Sequence, residues 1–174
     1  MKSLILFVLI GFFFRQQCVH AAVFAPTSLH SLKENIKLCL AETPDGSCPD
    51  FAAQPGNGVI GDWDVSKINS LHGAFKDEIN FNADLSKWDV ANVSNMTHLF
   101  YNASGFNRDL SKWDVSNVVD MESMFHFAQA FNSDVSKWKT SNVVNVKELF
   151  KNSGFSSDVS KWNISKVHNH EDYY

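Results

Sequence analysis

Apolar residues recur along this chain in a frame set by tryptophan. Trp63, Trp88, Trp113, Trp138 and Trp162 stand 25, 25, 25 and 24 residues apart, and the text around them recurs with them, which marks an internal repeat. Seven positions before the Trp stand Phe81, Phe106, Phe131 and Phe155; three before it stand Ile60, Leu85, Leu110, Val135 and Val159. Two and five positions after it come Val65, Val90, Val115, Thr140, Ile164 and then Ile68, Val93, Val118, Val143, Val167. Position eight reads Leu71, Met96, Met121, Val146 and His170; eleven and twelve read Ala74-Phe75, Leu99-Phe100, Met124-Phe125, Leu149-Phe150 and Tyr173-Tyr174.

Positions five, eight, eleven, twelve and fifteen step by three or four residues, which predicts one face of a short helix. Asn92, Asn117 and Asn142, each followed three residues later by Asn95, Asp120 or Asn145, fit its N-cap. The stretch "NRDLSKW" predicts a short strand that pairs with its copy in the next repeat. The expected class is therefore α/β: a short-strand plus short-helix repeat solenoid, leucine-rich-repeat-like, whose units bury their apolar faces only by stacking. Stacking would bring like residues about 5 Å apart, so the five Trp are expected to form a continuous spine, with Phe81, Phe106, Phe131 and Phe155 beside it. Burying about 200 Å² per Trp at about 25 cal/mol/Å² gives an upper bound of about 5 kcal/mol each.

Ahead of the repeats, Leu32, Ile36 and Leu40 follow helical spacing, with Thr27, Ser28 or Ser31 as a start signal. Cys39 and Cys48 flank the turn signal Pro44-Asp45-Gly46. The expected reading is a disulfide between them that pins a helical cap over the first repeat; two free thiols or half of a metal site are the alternatives. The division is residues 1–21 as a secretory signal, 22–55 as the cap and 56–174 as about five 25-residue repeats.

Composition changes this picture little, and charge narrows it. With 44% hydrophobic and 20% charged residues the chain is an ordinary folded protein. Residues 1–22 combine Lys2, an apolar run from Leu4 to Phe14, and small residues at Val19 and Ala21, as a cleaved signal requires. The run is too short to span a bilayer; an uncleaved anchor is the alternative. Without Lys2 and Arg15, 13 basic residues face 19 acidic ones, so nucleic acid is not an expected partner.

An acidic column, Asp84, Asp109, Asp134 and Asp158, precedes each Trp by four, and Asp64, Asp89 and Asp114 follow it directly. Each acid is a turn residue accepting amide hydrogens, or the column is a calcium ladder. Lys87, Lys112, Lys137 and Lys161 alternate with the acids and offset their repulsion, so the expectation is an exposed polar ladder and no metal. His168 and His170 in "HNHED" read as part of a terminal cap rather than as ligands. His72, His98 and His126 occupy different repeat positions and are expected to stay apart. Sequons stand at Asn92, Asn95, Asn102 and Asn163, with Asn102 the preferred glycan acceptor. No phosphate loop, nucleophile elbow or HExxH motif is present, so neither enzyme activity nor a cofactor is expected.

The units "FNADLSKWDVANVSNMTHLFYNASG" and "FNRDLSKWDVSNVVDMESMFHFAQA" resemble the 25-residue repeat of Mycoplasma-type surface lipoproteins, a group related to BspA-like leucine-rich-repeat surface proteins. The likeness runs from about Gly56 to Tyr174 and departs at Lys139-Thr140, where Asp-Val is usual, and in the last repeat, one residue short. The resemblance implies a surface or secreted repeat protein without established enzyme activity. The expectation is a secreted, non-catalytic binding or adhesion module for an extracellular protein or glycan, without stable membrane insertion. The alternatives are a structural protein that self-associates through its terminal coil, and a calcium-dependent lectin-like binder.

Overall fold

The structure, a computed structural model, describes residues 23–170. The expected signal at 1–21 and the pair Tyr173-Tyr174 lie outside those residues.

Helix α1 spans Leu29–Glu42 and helix α2 spans Pro49–Ala53. Ser28 caps α1 by accepting from the Ser31 amide, and Leu32, Ile36, Cys39 and Leu40 form its buried face. The Cys39–Cys48 disulfide ties the end of α1 to the start of α2. This unit covers one end of the repeats: Phe24 and Phe51 reach Trp63 at 4.9 and 6.2 Å between ring centroids, and the Asn82 amide donates to the Asp45 carbonyl at 3.1 Å.

Beyond a single 3-10 turn at Ile60–Asp62, the repeats contain neither helix nor strand among the described residues. The expected α/β class, a strand-plus-helix repeat solenoid, is thereby overturned. Instead the chain folds into flat layers made of successive turns, which we number 1 (60–84), 2 (85–109), 3 (110–134), 4 (135–158) and 5 (159–170). The layers run parallel, and isolated bridges join Ser70, Asn95, Asp120, Asn145 and Asn169 in sequence.

Backbone hydrogen bonding explains why no helix forms. Leu71, Gly73, Phe75 and Asp77 donate their amides to the carbonyls of Asn95, Thr97, Leu99 and Tyr101 in the next layer. The intervening Ala74, Lys76 and Glu78 donate three residues back, to Leu71, Gly73 and Phe75. An α-helix would spend every amide four residues back; here about half of them point along the stack. Positive φ angles recur at Gly73 and Asp77, His98 and Asn102, Ser123 and Phe127, Glu148 and Asn152. A left-handed residue every fourth position breaks a right-handed helix. In the first three layers it also turns its own N–H toward the neighbour: His98 donates to Glu122, Asn102 to His126 and Phe127 to Lys151. The spacing of three and four in the apolar columns belongs to a chain of turns. Asn92, Asn117 and Asn142 cap no helix; their side-chain amides donate to the Ser66, Ala91 and Ser116 carbonyls of the preceding layer at 2.7–2.8 Å.

The core is aromatic, and its spine is phenylalanine rather than tryptophan. Phe75, Phe100, Phe125 and Phe150 stack face to face at 5.6–5.7 Å, and Phe81, Phe106, Phe131 and Phe155 at 5.7–6.2 Å. The two ladders touch within each of layers 1 to 4 at 3.8–4.1 Å. All five Trp are buried but stand beside the ladders, and Trp138 stacks on Trp162 at 6.0 Å. Phe155, at the end of its ladder, is half-buried.

Candidate functional site

Two surfaces carry polar chemistry: the edge where each layer turns around its Trp, and a face that carries histidine and tyrosine.

At the edge each Asp accepts the amide two residues on, the geometry of an Asx turn. Asp84, Asp109, Asp134 and Asp158 accept from Ser86, Ser111, Ser136 and Ser160 at 2.8–2.9 Å. Asp64, Asp89 and Asp114 accept from Ser66, Ala91 and Ser116 at 3.0–3.1 Å. The serine hydrogen bonds hold the carboxyls of Asp64, Asp84, Asp109, Asp114, Asp134 and Asp158 below their ordinary value. Lys87 reaches Asp62 in the preceding layer at 2.7 Å, whereas Lys112, Lys137 and Lys161 stand exposed without an ion pair among the described residues. Among those residues, no group of three or more His, Cys, Asp or Glu side chains converges in a metal-binding arrangement.

The second face uses positions nine, ten, thirteen and fourteen after the Trp. Here the structure brings together residues whose separation the column numbering had implied. His72 and His98 rings lie 5.7 Å apart, His98 and Tyr101 5.5 Å, and Tyr101 and His126 5.2 Å. The Lys76 ammonium sits 4.9 Å over the Tyr101 ring, and Phe127, 37% exposed, meets its edge. His72 and His98 differ by one repeat position but face each other from adjacent layers, and three further residues bring the chain round to Tyr101 on the same side. Comparing neighbouring columns, rather than identical ones, is the sequence signal that finds this cluster.

Its hydrogen bonding is specific. The Thr97 hydroxyl donates to Asn95 Oδ1 at 2.6 Å, so its oxygen accepts from His72 Nδ1, which carries the proton. His126 is buried; Nδ1 lies 3.2 Å from Glu148 Oε2 without hydrogen-bond alignment, and Nε2 has no partner among the described residues. Burial pushes His126 below its ordinary value, against the pull of Glu148. Burial, then the Lys76 and His72 charges, does the same to His98.

The sequons differ in availability. Asn92 and Asn102 spend their side-chain amides on Ser66 O and Asp77 Oδ1, and half-buried Asn95 accepts from Thr97. Asn163 is exposed and uses only its oxygen, accepting from Ser165. His168 and His170 are exposed, and His168 Nδ1 lies 3.2 Å from the Lys166 carbonyl oxygen.

Comparison with known proteins places the repeats. The family model described as "Mycoplasma protein of unknown function, DUF285" matches residues 51–125 and 84–174. Neither a curated protein nor a solved structure matches the chain.

Proposed function

We propose that this chain, which belongs to the DUF285 family, is a secreted or cell-surface, non-catalytic binding or adhesion module that reads an extracellular protein or glycan through its histidine–tyrosine face. One observation carries the reading. Positions that hold the layers together repeat, namely the Trp, the two Phe ladders and the Asx-turn acids, whereas position thirteen changes from Lys76 to Tyr101 to His126 to Lys151. Residues of such different chemistry do not serve a common packing role. They sit on a rigid scaffold, offering aromatic, cationic and amide contacts at fixed spacing, the arrangement that gives specificity with little ordering cost.

A calcium-dependent lectin-like role finds less support, because each acid of the two columns spends one oxygen on an amide and, among the described residues, the acids do not converge in groups of three or more. The test is a glycan array with a panel of purified matrix proteins, probed with the wild type and with Tyr101→Ala/Phe127→Ser. The expected result is a ligand whose binding the double variant weakens at least about tenfold while circular dichroism shows that the variant is still folded. A ligand bound equally by both proteins overturns the role of this face.

A further inference from the structure

In layer 4 the repeat breaks its own rule. The residue after the Trp is Asp64, Asp89 and Asp114 in layers 1 to 3 and Asn163 in layer 5, and in each the side-chain oxygen accepts the amide two residues on. Layer 4 has Lys139, which has no acceptor. The equivalent amide, that of exposed Ser141, finds no hydrogen-bond acceptor among the described residues.

A carboxylate is missing there, and positive charge surrounds the gap. Lys137, Lys139 and Lys161 line a cleft of about 380 Å³ with Ser136, Trp138, Thr140, Ser141 and Asn163, and no acidic side chain among the described residues lines it. None of the three ammoniums makes an ion pair among the described residues. Asp114, Asp134 and Asp158 border the region and feel these charges, Asp114 that of Lys139, Asp134 those of Lys137 and Lys161, and Asp158 that of Lys161. Each of those acids turns one oxygen, Oδ1, to the amide of its own serine. The floor is firm: buried Thr140, standing where layers 1 to 3 have Val and layer 5 has Ile164, donates its hydroxyl to the Asn163 carbonyl at 3.1 Å.

We infer that this cleft is a binding site for a tetrahedral oxyanion, sulfate or phosphate, free or esterified to a sugar. One oxygen takes the place of the absent Asp carboxylate and accepts the Ser141 amide. The ammoniums of Lys137, Lys139 and Lys161 supply the charge-assisted bonds to the remaining oxygens. An amide beside clustered cationic groups is a general anion-binding arrangement. Three lysines suit a group with three or four oxygens better than a flat carboxylate. The site lies on the turn edge and does not depend on what the histidine–tyrosine face binds.

The experiment follows the Ser141 amide resonance while the protein is titrated separately with inorganic sulfate, inorganic phosphate and a sulfated disaccharide, each against sodium chloride of equal ionic strength. A saturable shift at Ser141 with at least one probe, absent with chloride, is the expected result, and the tighter probe distinguishes a free ion from a sugar ester. Lys139→Asp restores the residue that layers 1 to 3 use, so it is expected to fold and to fill the gap with its own carboxylate. It should weaken binding at least about tenfold, as loss of one charge-assisted hydrogen bond requires. A Ser141 signal that chloride moves equally, that no probe moves, or that Lys139→Asp leaves responding as in the wild type overturns the site.

Discussion

The indole Nε1–H of Trp113 donates to the carbonyl oxygen of Leu85 at 3.0 Å, crossing from layer 3 to the first residue of layer 2. Trp88, Trp138 and Trp162 repeat the bond to Ile60, Leu110 and Val135 at 2.8–3.0 Å. Each of these four Trp is therefore a rivet between layers, sharing a buried carbonyl with the backbone amide of the preceding Trp while its ring flanks the Phe ladder. Trp113→Phe retains most of the apolar area but removes one of the two donors to the Leu85 carbonyl, which keeps the Trp88 amide at 3.0 Å, and should cost about 0.5–1.5 kcal/mol. Urea unfolding measures it; a cost near zero would show that the hydrogen bond contributes nothing.

The Phe ladders supply the layer-to-layer contact. Phe100 stacks on Phe75, Phe106 and Phe125, whereas half-buried Phe155 meets Phe131 and Phe150 at the ladder's end. Phe100→Ala should destabilise by about 3–5 kcal/mol and Phe155→Ala by clearly less. Equal losses in denaturant titrations would contradict a stack held by nearest neighbours.

The Asx-turn acids make the stack acid-sensitive. In the folded chain Asp84, Asp109, Asp134 and Asp158 have carboxyl pKa values lowered from 3.8 by their serine partners, so the unfolded chain takes up protons first as pH falls. Their stabilisation is present above 3.8 and is lost as pH drops through the folded values. The melting temperature should fall on acidification below about pH 4, and replacing the four by Asn, which keeps the acceptor, should flatten that fall. An unchanged acid profile in the Asn variant would dismiss this origin.

The histidine face titrates in a higher window. His98 and His126 have folded pKa values lowered from 6.5, so folding favours their neutral forms and stability declines as pH passes below 6.5. Between about pH 8 and about pH 5 the wild type should lose more melting temperature than His98→Gln/His126→Gln. Ring-proton titration by NMR checks the direction at each residue.

The Cys39–Cys48 bridge closes a sequence separation of nine residues in the unit that covers layer 1. Cys39→Ser/Cys48→Ser should lose about 3 kcal/mol. The loss should appear first as amide exchange in α1 and layer 1, with layers 3 and 4 retaining protection.

The primary sequence determined the repeat, its frame and its contents. A 25-residue period in Trp63 to Trp138 admits no packing other than copy on copy, and Ser28, Leu32, Ile36, Cys39 and Cys48 mark the helical cap by capping chemistry and spacing. It could not determine the conformation within a layer, because apolar residues three and four apart satisfy a helix and a train of turns equally. The choice was made by amides such as those of Gly73 and Asn102, which bond across the stack and exist only once a neighbouring layer is in place. The same holds for the surface. His72, His98, Tyr101 and His126 come from three layers and meet only through stacking, and the Ser141 amide is left over only because its neighbours fix the turn it belongs to. Local patterns specify what each residue prefers; partners 24 to 28 residues away decide which preference is satisfied.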